Sequence, residues 1–185
     1  TLEASASSLE DFLRELDMQA VVNQFDEANL PRVVQLFHRT NQYNLTTRRY
    51  SEADVRSMMS TPGVHTRSLR LRDRLGDRGL VAVVIAREAG QALEIDSWLM
   101  SCRVLNRTVE HRLLCALVEV ARERNLTRLV GGYLPTPKNS PARDHYSKLG
   151  FDLVEALPDG SSRWEWPISR ELPTSFVMPD KGEAR

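Results

Sequence analysis

The chain has 185 residues with 25 basic and 25 acidic side chains, so its formal net charge is zero, and 41% of it is apolar. That describes one domain of ordinary size with enough apolar side chains for a core of its own. It excludes the basic footprint of a general nucleic-acid binder, and no run approaches the roughly 20 apolar residues that cross a bilayer. A cytoplasmic, enzyme-sized unit is expected, with no nucleic-acid or membrane partner. The cysteines, Cys102 and Cys115, are too few for a disulfide framework or a four-cysteine zinc site and are expected to be free thiols. Neither Cys-x-x-Cys nor His-x-x-x-His spacing occurs, so no metal is expected. The sequence starts at Thr1 without a basic-plus-apolar targeting segment, which suggests a piece of a longer protein.

Charge is uneven along the chain. Thr1 to Asn29 holds seven acids and one arginine, net −6, whereas Leu30 to Leu80 holds ten arginines and four acids, net +6. Solvated faces of neighbouring elements account for most of these residues.

In chain order, Ser8 and Asp11 have capping-box spacing before Leu9, Phe12, Leu13 and Leu16 at helical intervals. This predicts a short linker helix over residues 1–17. Met18 to Phe25 reads as a strand, and Asn29-Leu-Pro31 starts a helix carrying Val33, Val34, Leu36 and Phe37. Ser51 and Asp54 form a second capping box ahead of Val55, Met58 and Met59. Leu69 and Leu71 alternate with Arg70 and Arg72, the turn-rich stretch from Asp73 to Gly79 follows, and Leu80 to Ala86 and Ala92 to Met100 complete a three-stranded antiparallel meander. Val109, Leu113, Ala116, Leu117, Val120 and Ala121 mark one face of a long helix ending near Asn125. A strand at Arg128 to Tyr133, a helix from Ser140-Pro141 to Gly150, and a hairpin formed by Phe151 to Ala156 and Arg163 to Pro167 finish the pattern. Residues 18–167 make the domain, and 168–185 are expected to be an irregular tail.

This α/β succession, with a mixed, mostly antiparallel sheet flanked by helices, matches the GNAT (GCN5-related N-acetyltransferase) fold. The run Asn139-Ser-Pro-Ala142-Arg-Asp-His-Tyr146-Ser-Lys-Leu-Gly150-Phe151 resembles that family's carboxy-terminal signature. The resemblance implies a fourth strand that splays from the fifth and leaves backbone groups for the pantetheine arm of a thioester. It also implies that Tyr146 protonates a departing thiolate. The family's Arg/Gln-x-x-Gly-x-Gly/Ala loop corresponds to Arg103-Val-Leu-Asn106-Arg-Thr108. Both glycine positions carry side chains, so this loop is expected to suit a carrier-bound pantetheine, which has no pyrophosphate, rather than free coenzyme A.

Three further stretches, His38 to Tyr50, Leu71 to Gly79 and Trp98 to Leu105 with its Ser101-Cys102-Arg103 run, resemble the carboxy-terminal half of the FkbH-like family. Those proteins load a glyceryl unit from a glycolytic bisphosphoglycerate onto an acyl carrier protein for polyketide assembly, and pair a haloacid-dehalogenase (HAD) type phosphatase domain with a GNAT-like one. The Asp-x-Asp-x-Thr/Val motif of the phosphatase half is not in this sequence, which fits a fragment or a separate second domain. The resemblance implies an acyl relay at Cys102. A thiol suits that task because its thioester is nearly isoenergetic with the pantetheine thioester formed next. The position after the fourth strand is where the following helix amino terminus is expected to stabilise thiolate and oxyanion. A buried, inert cysteine is the competing description of Cys102, and it is the one adopted for Cys115.

Substrate contacts are expected from Asn41, Gln42, Asn44, Thr46 and Thr47, whose amides and hydroxyls suit a glyceryl group; a helix end followed by a loop explains the same residues. Ser101, Arg103 and Asn139 are expected at the site through the motifs. Because the strand from Leu80 runs antiparallel to the one ending at Met100, Asp73, Arg74 and Asp77 are expected near Cys102, although tight turns also require such residues. No histidine among His38, His65, His111 and His145 is singled out as a base. No tightly bound cofactor is expected: the phosphopantetheine arm of an acyl carrier protein is the expected partner group, with the HAD-type phosphatase as second partner. Two alternatives are a conventional coenzyme A-dependent acyltransferase using Tyr146, and a noncatalytic module that docks carrier protein through its arginines.

Overall fold

The computed structural model describes residues 2–180. In chain order it contains α1 (Leu2–Glu15), β1 (Gln19–Asn23), α2 (Leu30–Arg39), α3 (Glu52–Met59), β2 (Val64–Asp73), β3 (Gly76–Ala89), β4 (Ala92–Met100), α4 (Val109–Glu123), β5 (Arg128–Tyr133), α5 (His145–Leu149), β6 (Asp152–Ala156), β7 (Ser162–Pro167) and β8 (Met178–Pro179). Short 3-10 turns at Cys102–Val104 and Ser140–Ala142 follow β4 and precede α5. One sheet runs in the order β6-β7-β5-β4-β3-β2-β1-β8, antiparallel except for the β4–β5 and β1–β8 pairs.

Strand periodicity divides the core between the two faces. On β3, Ala82, Val84 and Ala86 pack with α1, α4 and α5 residues, while Val83 and Ile85 face Val33, Leu36 and Phe37 of α2 and Val55 of α3. A strand buried on both sides is uniformly apolar, which is why Leu80 to Ala86 shows no alternation. The Ser51–Asp54 capping box closes the start of α3 as its spacing predicts. Gly150 ends α5 at φ +93°, a left-handed position that favours glycine.

Two terminal segments depart from expectation. Ser8 lies inside α1 rather than at its start; Leu13 on that helix and Leu16 just after it enter the core, whereas Leu9 and Phe12 are about half exposed. The chain after Pro167 has little regular structure as far as Phe176, but it is anchored. Val177 is 1% exposed, Met178 N–H donates to Met18 O, and β8 extends the sheet beside β1. Among the described residues no helix is long and apolar enough to cross a membrane.

Candidate functional site

β4 and β5 pair over three rungs only, Ala92 with Arg128, Leu93 with Leu129 and Glu94 with Val130. Beyond that point the β3–β4 register skips Asp96, since Ile85 faces Ser97 and Ala86 faces Ile95. A bulge of this kind bends its strand, and β4 departs from β5. The connector between α2 and α3 fills the resulting gap. Asn44 bridges Leu99; Leu45 N–H donates to Trp98 O at 3.2 Å, and Met100 N–H donates to Tyr43 O at 3.0 Å. Thr46 Oγ1 donates to Asp96 O at 2.9 Å. On the β5 side, Leu134 N–H donates to Leu45 O, and Asn139 Nδ2 donates to both Asn44 O and Leu134 O. The freed edge of β4 is therefore satisfied by the chain's own backbone, as buried peptide groups require.

Behind this plug lies an aromatic stack. His145 packs edge-on against Trp98 with ring centroids 4.3 Å apart, and Tyr146 continues to Phe151 and Trp166. The Tyr43 hydroxyl and His145 Nδ1 share a 2.8 Å hydrogen bond. Burial, with His111 as a minor contributor, pushes His145 down to about 3, so its imidazole is neutral. Burial likewise raises the Tyr146 phenol, helped by Tyr43. The Tyr146 hydroxyl, His145 Nε2 and Trp98 Nε1 are buried without a hydrogen-bond partner. Gly131 is required under this stack because a Cβ there would stand 2.3 Å from Tyr146 Cζ.

On the other side of the plug, Cys102 opens onto solvent. It is exposed, on the rim of a groove of about 440 Å³ lined by Arg32, Leu36 and Arg39 of α2, Thr40 to Tyr43 of the connector, and Met100 and Ser101. Arg32, Leu36 and Arg39 project together because they are spaced by four and three along the helix. Burial, then Arg103 and Arg39, depresses the Arg32 guanidinium, so these three cations lie close to one another. Ser101 Oγ accepts from Arg103 N–H and Nε at 3.4 Å.

Solved structures share this architecture. The ribosomal-protein-S18-alanine N-acetyltransferase from Escherichia coli superposes with a TM-score of 0.58 at 15% identity, over 83% of this chain and 96% of that one. The GNAT domain of S. lividans PAT gives 0.60 at 21% identity, over 80% and 90%. Spermidine N-acetyltransferase from Vibrio cholerae, solved with CoA and spermine, gives 0.62 at 13% identity, over 82% and 96%. This is the GNAT fold. No family model and no curated protein matches the sequence.

Within the GNAT frame, the loop between β4 and α4 keeps a glycine-like backbone without glycine. Asn106 and Thr108 both adopt left-handed φ, +62° and +61°. Asparagine tolerates that conformation; a β-branched threonine is strained there and is held by its tail contacts. Thr108 Oγ1 accepts from Phe176 N–H at 2.8 Å, and Ser175 Oγ donates to Thr108 O at 3.0 Å. α4 begins at Val109, seven residues after Cys102, so its amino end meets the tail rather than the thiol. Next to this loop, a cavity of about 210 Å³ is lined by Glu110, His145 and Lys148, with Glu110 Oε2 buried and unpartnered. A carboxylate there, a filled β4 edge and an occupied helix start do not fit coenzyme A in this conformation.

The structure sorts the sequence-derived candidates. Asn41 and Gln42 share the groove with Ser101 and Cys102, and Arg103 stands beside it. Asn44 and Asn139 are corrections: both are fully buried and clasp the connector, with Asn44 Oδ1 accepting from Thr47 N–H and Asn139 Oδ1 from Thr136 N–H. Thr46 is also buried and bonded to Asp96 O. Asp73 and Arg74 are corrections as well. Ser101 N–H reaches Val81 O, but β3 extends five residues further to Gly76, which carries the turn past the groove. The Asp73 carboxylate instead holds Arg78 at 2.9 Å and Arg107 at 3.3 Å. Burial opposes its charge, yet hydrogen bonds from Arg78 and Leu75 N–H with both guanidiniums keep it below the usual range. Arg74 is exposed, outside the groove. Tyr146, 1% exposed, does not line the groove either, so the two residues paired as catalytic occupy separate environments. His38, His65 and His111 are bonded to Tyr50 O, Glu88 and Thr174 O. Arg32 and Arg39 went unmarked in the sequence, where only their shared face with Leu36 pointed to them. Among the described residues no cluster of three or more His, Cys, Asp or Glu is placed to hold a metal.

Proposed function

We propose that the chain is an acyltransferase in which Cys102 carries the acyl group as a thioester and passes it to the pantetheine thiol of an acyl carrier protein. The observation that supports this reading is the exposed Cys102 thiol on a groove whose charged lining side chains are the guanidiniums of Arg32 and Arg39. Arginines of this kind suit an anionic donor, because planar guanidiniums pair phosphate and carboxylate groups bidentately. With an acyl phosphate such as a bisphosphoglycerate, the Cys102 sulfur forms a bond to the acyl carbon as the carbon–oxygen bond to the acyl phosphate breaks, the thiol proton leaving with the released phosphate; hydrolysis of the remaining phosphate ester by the phosphatase partner leaves the glyceryl thioester. The carrier thiol, losing its proton, then attacks that carbon and Cys102 leaves as thiolate. Asn41 and Gln42 offer uncharged partners for the hydroxyls of a glyceryl group. The FkbH-like resemblance supplies the choice of a glyceryl unit and of a HAD-type phosphatase partner.

A second reading is direct transfer from an acyl-coenzyme A. It is favoured by the N-acetyltransferase neighbours, one of them solved with CoA, and by the left-handed turns at Asn106 and Thr108. It requires the connector at 43–46 to leave β4 and gives Tyr146 the role of acid.

The two are separated by measuring glyceryl transfer to a carrier protein and acyl transfer from acyl-coenzyme A, each with Cys102→Ala and Tyr146→Phe. Carrier loading lost only with Cys102→Ala supports the relay. Coenzyme A-dependent transfer indifferent to Cys102→Ala and lost with Tyr146→Phe overturns it.

A further inference from the structure

The hairpin that joins β2 to β3 runs past the end of β4. Ser101 N–H bonds to Val81 O, and beyond that point the hairpin continues through Arg72, opposite Asp77, to its turn at Arg74 and Leu75. It is braced there. The Asp73 carboxylate, on a side chain that is 0% exposed, holds Arg78 and also Arg107 on the loop that leads from Cys102 into α4. Arg74 N–H donates to Leu16 O at 2.7 Å. The turn therefore stands at a fixed place beside the thiol loop. At its tip Leu75 is 75% exposed, more than any other large apolar side chain among the described residues. Its N–H bonds to Asp73 Oδ1 at 2.8 Å, a backbone contact that asks nothing of the leucine side chain.

Charge beside this hairpin is one-sided. Of the ten arginines between Leu30 and Leu80, Arg48, Arg56, Arg70 and Arg78 are ion-paired, and Arg49 is bonded to Phe37 O, Thr40 O and Asn41 Oδ1. Arg32, Arg39 and Arg72 have no ion pair among the described residues, and neither has Arg103. These four share a face. Arg70 and Arg72 alternate with Leu69 and Leu71, which enter the core on the α4 side, so both arginines project to the α2 side of the sheet. Arg70 stands opposite Leu80, whose carbonyl accepts from Arg32 Nη2 at 3.5 Å. Beyond burial, Arg103 and then Arg39 depress the Arg32 guanidinium, which places them close to it. Arg70 neutralises Asp77 on this face, and Arg56 neutralises Glu27 near the start of α2. An apolar anchor next to unneutralised cations is the composition of a protein-docking surface.

We propose that the β2–β3 hairpin and the adjoining α2 face dock the acyl carrier protein, which presents an acidic patch to Arg72, Arg103 and Arg39 and an apolar recess to Leu75. The proposal rests on the relay reading, and it gives the carrier's body a seat while its pantetheine thiol reaches Cys102. The donor's phosphates leave before that thiol attacks, so one positive field serves two anionic partners in turn. Nucleic acid is the other polyanion such a face attracts, but it makes no use of an exposed leucine at a braced tip.

Fluorescence anisotropy with a labelled holo-acyl carrier protein of negative net charge tests the surface without requiring turnover. The parent is expected to bind saturably, with affinity falling as salt is raised. Leu75→Ser, and Arg72→Glu combined with Arg103→Glu, should each weaken binding by at least about tenfold, while circular dichroism spectra stay those of the parent. Arg122→Glu reverses an exposed charge in the last turn of α4 and should leave binding unaltered, which separates a surface from net charge. Adduct formation at Cys102 is read separately on the parent: its absence while docking persists sinks the relay reading alone. The docking proposal is overturned by the absence of saturable carrier binding, or by binding insensitive to both Leu75→Ser and the paired arginine variant. Equal loss with Arg122→Glu, or a single-stranded oligonucleotide binding as tightly as the carrier, overturns it too.

Discussion

The groove at Cys102 and the aromatic stack at Tyr146 lie on either side of one short segment, residues 43–46, and differ in nearly every physical respect. The groove is open and cationic, and its thiol is exposed. The stack is buried and carries four polar atoms without partners, on Trp98, His145, Tyr146 and Trp166. In a folded protein an unpartnered buried donor or acceptor costs about 1–3 kcal/mol, so the stack is a place of stored cost and the groove one of accessible reactivity. A connector that satisfies the β4 edge thus divides the site into a part that meets substrate and a part that supports the fold.

Substitutions break or sharpen that contrast. The largest effect is expected from Cys102→Ala: carrier loading should fall at least about a thousandfold, while stability by urea titration should change by less than about 0.5 kcal/mol because the side chain is exposed. Gly131→Ala should do the reverse. It drives a methyl into the Tyr146 ring and should cost about 1–3 kcal/mol in the same titration, without touching the groove directly. Arg32→Ala with Arg39→Ala should raise the KM for an anionic donor by about tenfold, and added salt should shrink the difference from the parent.

Smaller effects come from titration and from one hydroxyl. His145 has a folded pKa of about 3 against an ordinary 6.5, so between those values the unfolded chain binds more protons. Its contribution to stability is complete above about pH 6.5 and lost as pH falls toward 3, with a slope no steeper than about 1.4 kcal/mol per pH unit. Replacing His145 with Phe should flatten that slope in acid unfolding curves. Tyr146→Phe removes a buried hydroxyl without a partner and should be neutral or stabilising by up to about 1 kcal/mol, in contrast to the loss of activity that the coenzyme A reading requires.

The order of strands and helices was legible because periodicity reports which face of an element is buried: β5 at Arg128–Tyr133 and the stripe of α4 stand where the pattern places them. The roles of polar residues were not. Asn44 and Asn139 look the same in sequence whether they greet a ligand or clasp a peptide, and only the bridge at Leu99 and the bonds to Asn44 O and Leu134 O decide between the two. Asp73 was misplaced because antiparallel pairing fixes which strand ends adjoin but not how far a hairpin overshoots. The tail looked loose because β8 is two residues long, too short for any alternation to show. The role of Asp96 was hidden for a related reason: a carboxylate in a mostly apolar strand declares what it holds only once its four donors, on Arg48, Tyr50, Arg87 and Ser97, are seen.

The central claim is most directly tested by intact-mass spectrometry of the protein after incubation with bisphosphoglycerate and a HAD-type phosphatase partner. One glyceryl adduct, mapped to Cys102 and absent from Cys102→Ala protein, is the predicted result. An undiminished adduct on the Cys102→Ala protein, or no adduct on the parent while carrier loading proceeds, contradicts a covalent relay at this thiol.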